Sequence, residues 1–192
     1  MEYVDGAKLS TLVSGGRDHE AANIICDVVD QIHRYSGIHP DVYDLKRQFQ
    51  SLFVRAKSES TDSVFYKTAK VTEELVASES NRKLLHGDIH HTNIMKSSKR
   101  GWLAIDPQSI YAERTYDVAN SFFNPDNLPE IVETPNRIDA LAQTFSERLK
   151  VDRKRILQFA YAHGGLSSSW QLDDGENPQR RLRITSLIGE QL

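Results

Sequence analysis

A mainly α-helical fold carrying one small β-hairpin is what this sequence predicts, on three observations. Apolar residues recur at the helical period over most of the chain. The exception is a run from residue 83 to residue 106, where short apolar stretches alternate with turn residues. The 192 residues, 39% hydrophobic and 27% charged, suffice for one compact unit with a real core and show no low-complexity character.

Taken in order, Glu2-Tyr3-Val4 is a strand-like run closed by the turn pair Asp5-Gly6. Lys8 to Val13 reads as a short helical turn that breaks at Ser14-Gly15-Gly16, an ordinary loop with none of the residues a phosphate loop needs. Asp18 is placed to cap a helix reaching about Tyr35, with Ala22, Ile25, Cys26, Val29 and Ile32 on its buried face. His33 and His39 flank a turn ending at Pro40 and receive no role. Helices from Asp44 to about Lys57 and from Asp62 to about Ser78 follow, one with Leu45, Phe49, Leu52 and Phe53 inward, the other with Val64, Phe65, Ala69, Thr72, Leu75 and Val76.

The period then changes. Lys83-Leu84-Leu85 is a short buried strand leading to His86-Gly87-Asp88, and Asn93-Ile94-Met95-Lys96 and Trp102-Leu103-Ala104-Ile105 form a hairpin around a glycine-containing turn. Beyond it, Asp117 opens a helix through Val118, Ala119, Phe122 and Phe123, and two striped helices span about 136–149 and 152–172. Gly164-Gly165 within the last of these predicts close packing or a kink.

Composition bounds the function. A net charge of −3 with both signs interspersed offers no field for a nucleic-acid backbone or an anionic membrane, and tolerates small cations. The first six residues carry acids where a signal peptide has basic residues, and no apolar run approaches membrane-spanning length. Cys26 is the sole cysteine, which rules out an internal disulfide and leads to the expectation of a cytoplasmic setting.

Chemistry concentrates between Lys83 and Tyr116. Asp88, Asn93 and Asp106 follow one another at intervals of five and thirteen residues, and the hairpin brings the last two to one end, beside Asp88. Three oxygen-bearing side chains on strand-held loops suit magnesium, which keeps waters and phosphates in its shell. The order H-x-D-x-x-x-x-N followed by a further aspartate matches kinase-type phosphoryl transfer.

The run His86-Gly87-Asp88-Ile89-His90-His91-Thr92-Asn93-Ile94-Met95, with Trp102-Leu103-Ala104-Ile105-Asp106-Pro107, resembles the aminoglycoside phosphotransferase branch of the protein-kinase-like fold. Glu113-Arg114-x-x-Asp117-x-Ala119-Asn120 and Asn124-Pro125 narrow the resemblance to the streptomycin 6-phosphotransferase and hydroxyurea-resistance kinase family, over roughly residues 80 to 190. It implies an ATP-dependent enzyme that transfers γ-phosphate to a hydroxyl of a small cationic molecule such as an aminoglycoside. Asp88 would be the catalytic base, and Asn93 and Asp106 would hold Mg2+ between the nucleotide phosphates. His86 would brace the loop, and His90 would supply partial positive charge or a hydrogen bond near the transferred phosphate. Gly87 stands where regulated protein kinases keep an arginine, so activation-loop switching is not expected. Arg114 and Asp117 read as structural support. Trp170, Asp173, Asp174 and Glu176 are acceptor-site candidates, weighed against a plain solvated acidic turn.

The resemblance also implies a domain division. Residues 1–6 resemble a remnant of the hinge between kinase lobes, with Glu2, Tyr3 and Val4 where adenine would meet backbone groups, and residues 7–192 resemble the helical C-terminal lobe. The glycine-rich strands, strand lysine and helix glutamate of an N-terminal lobe are not found, so that lobe is expected to be absent and the exposed hinge to self-associate. Two other readings stand beside the kinase: a catalytically silent binding protein, and a metal-dependent hydrolase using His86, Asp88, His90 and His91.

Overall fold

The computed structural model describes residues 4, 6–35, 37 and 42–192. Glu2 and Tyr3 of the expected hinge, and His39, lie outside the described residues. Val4 is half-buried.

The centre of the fold is a helix over Arg153–Asp173, buried along most of its length. A helix apolar or small on all sides belongs inside a core, and Gly164, Gly165 and Ser167 to Ser169 let its neighbours come close. A Cβ at Gly164 would strike Thr185 and Phe123, and one at Gly165 would strike Thr68. The expected close packing at the glycine pair is therefore there, against two different helices.

Around that centre the chain lays α1 (Ser10–Ser14), α2 (Asp18–Ile32), α3 (Leu45–Gln48), α4 (Gln50–Ala56), α5 (Val64–Ala77), a 3₁₀ segment (Arg114–Phe123), α6 (Pro129–Val132), α7 (Pro135–Leu149), the central helix α8, and α9 (Gln179–Gly189). Two apolar clusters result. α1, α2, α7 and α9 share one cluster with Ile156, Leu157, Ala160 and Tyr161 of α8, α7 and α9 packing on that helix directly. α3, α4 and α5 pack on Phe159, Ala162 and Leu166 of the same helix. Each buried Leu, Ile or Phe contributes roughly 1.5–3 kcal/mol, so a change in α8 disturbs both halves. Cys26 faces the first cluster, where burial pushes its thiol up to about 12.

The β structure is two antiparallel pairs. β2 (Ile94–Ser97) and β3 (Gly101–Ala104) make the expected hairpin, with Ile94 opposite Ala104. β1 (Arg82–Leu85) pairs instead with β4 (Ile110–Glu113), a four-residue strand absent from the sequence reading. The backbone of residues 7–9 runs beside β2, with Lys96 N donating to Ala7 O and Leu9 N to Ile94 O.

Four boundaries differ from expectation. The helix expected from Asp44 divides at Phe49, whose ring is fully buried edge-on to Tyr116. Asp18 is the first residue of α2 and not its cap, because its carboxylate is taken by Arg137, with Nε to Oδ2 at 2.7 Å. Asp117 lies inside the 3₁₀ segment and does not open a helix. α9 was unforeseen; its apolar positions are few, but Ile184 and Ile188 are fully buried. Among the described residues no helix is long and apolar enough to cross a membrane.

Candidate active site

The loop between β1 and β2 is held in place by one buried carboxylate. Asp117 accepts from Gly87 N at 2.7 Å, His86 N at 3.2 Å and His33 Nε2 at 2.8 Å. This gives both Asp117 and His33 work that the sequence did not assign by geometry. Gly87 sits at φ +83, and a Cβ there would crowd the Ile110 side chain, so β4 leaves room only for glycine.

His86 ties this loop to the far end of the hairpin. Its Nδ1 accepts from Asp88 N at 3.3 Å, which leaves Nε2–H to donate to Ile105 O at 2.9 Å. Its own carbonyl accepts from Gln108 N and Ser109 N. His86, Asp88 and the residues around Asp106 thereby form one connected unit.

Asp88 is gripped from two sides. Asn120 Nδ2 donates to its Oδ1 at 2.7 Å, and Asn93 Nδ2 donates to its Oδ2 at 3.1 Å and also to its carbonyl. His90 Nε2 stands 3.5 Å from Oδ2, and His90 Nδ1 meets Thr92 Oγ1 at 2.9 Å. Burial alone would raise this carboxyl; the hydrogen bond and charge of His90, with the Asn120 bond, outweigh it and hold the group below the usual carboxylate value. Asn120 is itself fixed by Asn124 Nδ2 at 3.0 Å, and Asn124 O accepts from Arg137 Nη2.

The donor set fits magnesium. Both bonds of the Asn93 amide nitrogen go to Asp88, so Asn93 Oδ1 is left as a ligand. Asp106, at the end of β3 with φ +61, is exposed and makes no hydrogen bond or ion pair among the described residues. Ile105 N donates to Asn93 O, which sets Asn93 beside the residue that precedes Asp106. A carboxylate and an amide oxygen are too few for a closed cage, as expected where waters and phosphates complete the shell.

The hydrolase alternative has no such support. His86 is spent on Asp88 N and Ile105 O, and His91 is fully buried with neither ring nitrogen bonded. Burial holds His91 well below the ordinary histidine range, so it is a neutral core residue. Among the described residues no group of three or more His, Cys, Asp or Glu is arranged to hold a metal ion.

Asp88 and His90 open onto a cavity of about 380 Å³ whose far wall carries Asp126, Asp174, Glu176, Trp170 and Arg181. Three of the four acceptor-site candidates therefore meet there. Asp173 does not, because its carboxylate accepts from Ser51 Oγ at 2.6 Å and pairs with Arg55 at 2.5 Å, fastening α8 to α4. Arg114 pairs with Asp30 on α2 and is remote from the loop. Asn120, Asn124, Asp126, His163 and Arg181 were missed as site residues. Asn120 and Asn124 were visible as a motif, but nothing in spacing alone said that one would touch Asp88.

The strand, loop and hairpin that carry Asp88, Asn93 and Asp106, with a helical bundle behind them, belong to a protein-kinase-like fold. A solved choline kinase from Streptococcus pneumoniae shares it, with a TM-score of 0.68 at 16% identity over 98% of this chain and 69% of that one. The model of the aminoglycoside/hydroxyurea antibiotic resistance kinase family matches residues 1–175, and the chain belongs to that family. It is 36% identical over 180 residues to a streptomycin 3''-kinase from Klebsiella pneumoniae, and 23% identical over 193 residues to a streptomycin 6-kinase from Streptomyces griseus. Those alignments cover 91% of this chain but 66% and 58% of the relatives, so the chain spans less than two thirds of either.

Proposed function

We propose that this chain carries the acceptor and metal side of an ATP-dependent phosphotransferase whose substrate is a hydroxyl of a small cationic molecule of the streptomycin type. One observation carries the reading: Asp88, oriented by Asn93 and Asn120, opens onto a cavity walled by Asp126, Asp174 and Glu176. Carboxylates lining the same cavity as Asp88 suit ammonium or guanidinium groups, while Asp88 takes the hydroxyl.

In the reaction the acceptor oxygen attacks the γ-phosphorus of ATP, the bond from that phosphorus to the bridging oxygen breaks, and ADP departs. The hydroxyl proton passes to the Asp88 carboxylate. Asn120 and Asn93 keep that carboxylate aimed, while His90 and the Asn120 bond favour its ionised form against burial. His90, with Nδ1 engaged by Thr92, offers Nε2–H on the same side as Asp88. Asn93 Oδ1 and Asp106 would hold magnesium, which when bound draws charge from the nucleotide phosphates. The nucleotide-covering strands and lysine would have to come from outside residues 7–192.

The test is incubation with ATP, magnesium and streptomycin, followed by mass spectrometry. One added phosphate on streptomycin is expected, by the chain alone or once joined to the N-terminal third of a streptomycin kinase. Streptomycin binding without transfer in both forms would favour the silent binding protein, and absence of both would overturn the acceptor assignment.

A further inference from the structure

His163 lies in α8 at the base of the cavity, 3% exposed. Its ring is fenced by three aromatic side chains, with centroids of Tyr116 at 5.9 Å, Phe123 at 5.7 Å and Trp170 at 6.3 Å. One nitrogen is fixed by a buried chain of hydrogen bonds that begins on α3. Gln48 Nε2 donates to Tyr116 Oη at 3.1 Å and to Gln108 Oε1 at 3.3 Å. With its oxygen receiving from Gln48, Tyr116 has its own O–H free to donate, and the group in reach is His163 Nδ1 at 3.3 Å.

A neutral imidazole that accepts at Nδ1 carries its proton at Nε2, the nitrogen left for the cavity. The ring stays neutral, since burial and then the Arg181 guanidinium push it down to about 3. The acids Asp88, Asp126, Asp174 and Glu176 only accept, and Arg181 is shared with Asp126 at 3.5 Å. The His163 N–H joins Trp170, Gln171 and His90 as an uncharged donor of the lining, distinguished by the buried chain that fixes its direction. A cationic sugar-like ligand presents ring, glycosidic and hydroxyl oxygens as well as cations. An uncharged donor satisfies such an oxygen without repelling the cation.

We infer that His163 is a specificity-determining residue of the acceptor cavity: its Nε2–H, set by Tyr116 and Gln48, donates to an oxygen of the bound molecule. The inference rests on the acceptor-cavity reading above. It makes the cavity select oxygen-rich cations over cations that lack an acceptor atom, because an unmatched buried donor costs binding.

The experiment is ¹⁵N NMR of histidine-labelled chain with streptomycin as the probe, together with calorimetric titration of His163→Leu, His163→Gln and Tyr116→Phe. In the wild-type chain the His163 signals are expected to show a protonated Nε2 and a bare Nδ1, with Nε2 moving on addition of streptomycin. His163→Leu is expected to weaken binding roughly three- to tenfold, the worth of one net hydrogen bond, His163→Gln to recover most of it, and Tyr116→Phe to mix the two tautomers. A bare Nε2 in the wild-type chain, which needs no variant to fold, overturns the inference alone, as does undiminished affinity in folded His163→Leu. Absence of streptomycin binding to the wild-type chain overturns the acceptor reading and the inference with it.

Discussion

Asp88 and the acids across the cavity from it are carboxylates of the same site held in opposite ways. Asp88 is largely enclosed and receives hydrogen bonds from Asn93 and Asn120, behind which stand Asn124 and Arg137. Asp126, Asp174 and Glu176 are exposed, and among the described residues only Asp126 and Glu176 have side-chain partners, in Arg180, Arg181 and Gln171. Under the proposed function the difference separates two tasks. Asp88, which would take a proton in the transition state, needs fixed geometry, whereas groups that would attract a cation need charge and access, which exposed carboxylates supply.

The contrast breaks most severely at Asp117. Asp117→Ala leaves His86 N, Gly87 N and the buried His33 without an acceptor, and unsatisfied buried donors cost about 1–3 kcal/mol each. A loss of roughly 3–5 kcal/mol is expected by urea denaturation, a large share of a typical domain's stability. An unchanged midpoint would show that another group holds the loop.

A smaller and more specific effect is expected at Asn120. Its bond favours the ionised form of Asp88, so the wild-type acid limb of kcat/KM lies below the usual carboxylate range. Asn120→Ala removes that bond, raises the Asp88 pKa and moves the acid limb to higher pH, with kcat lower by roughly 10- to 100-fold if orientation is lost too. A pH profile measured on both proteins checks the sign. Paired substitution of Asp174→Asn and Glu176→Gln is expected to raise the streptomycin KM several-fold with little change in kcat, and more so at low salt. Asp173→Asn, next in sequence to Asp174, should leave KM alone and lower stability by under about 1 kcal/mol, as for an exposed ion pair.

Asp173 and Asp174 also show how far the sequence could be read. The placement of Asp88, Asn93 and Asp106 was legible because it depends on local spacing: an aspartate, an amide five residues on, and an aspartate at the end of a hairpin. The amphipathic helices were legible for the same reason, since periodicity is local. Which of two adjacent acids faces the cavity depends on Arg55 and Ser51, more than a hundred residues away in sequence, and no spacing encodes that. His33 against Asp117, and Gln48 through Tyr116 to His163, were invisible likewise. β4 escaped because a four-residue strand is defined by its partner β1 and not by its own pattern.

The most direct measurement is Asp88→Asn compared with wild type, with streptomycin binding followed by calorimetry and phosphate transfer by mass spectrometry in the form of the protein that transfers. The substitution keeps the size of the group but removes the proton acceptor, and its single amide oxygen keeps only one of the two side-chain bonds from Asn93 and Asn120. The account predicts streptomycin affinity within a few-fold of wild type and transfer reduced by at least about 100-fold. Transfer at the wild-type rate with Asn at this position would contradict it.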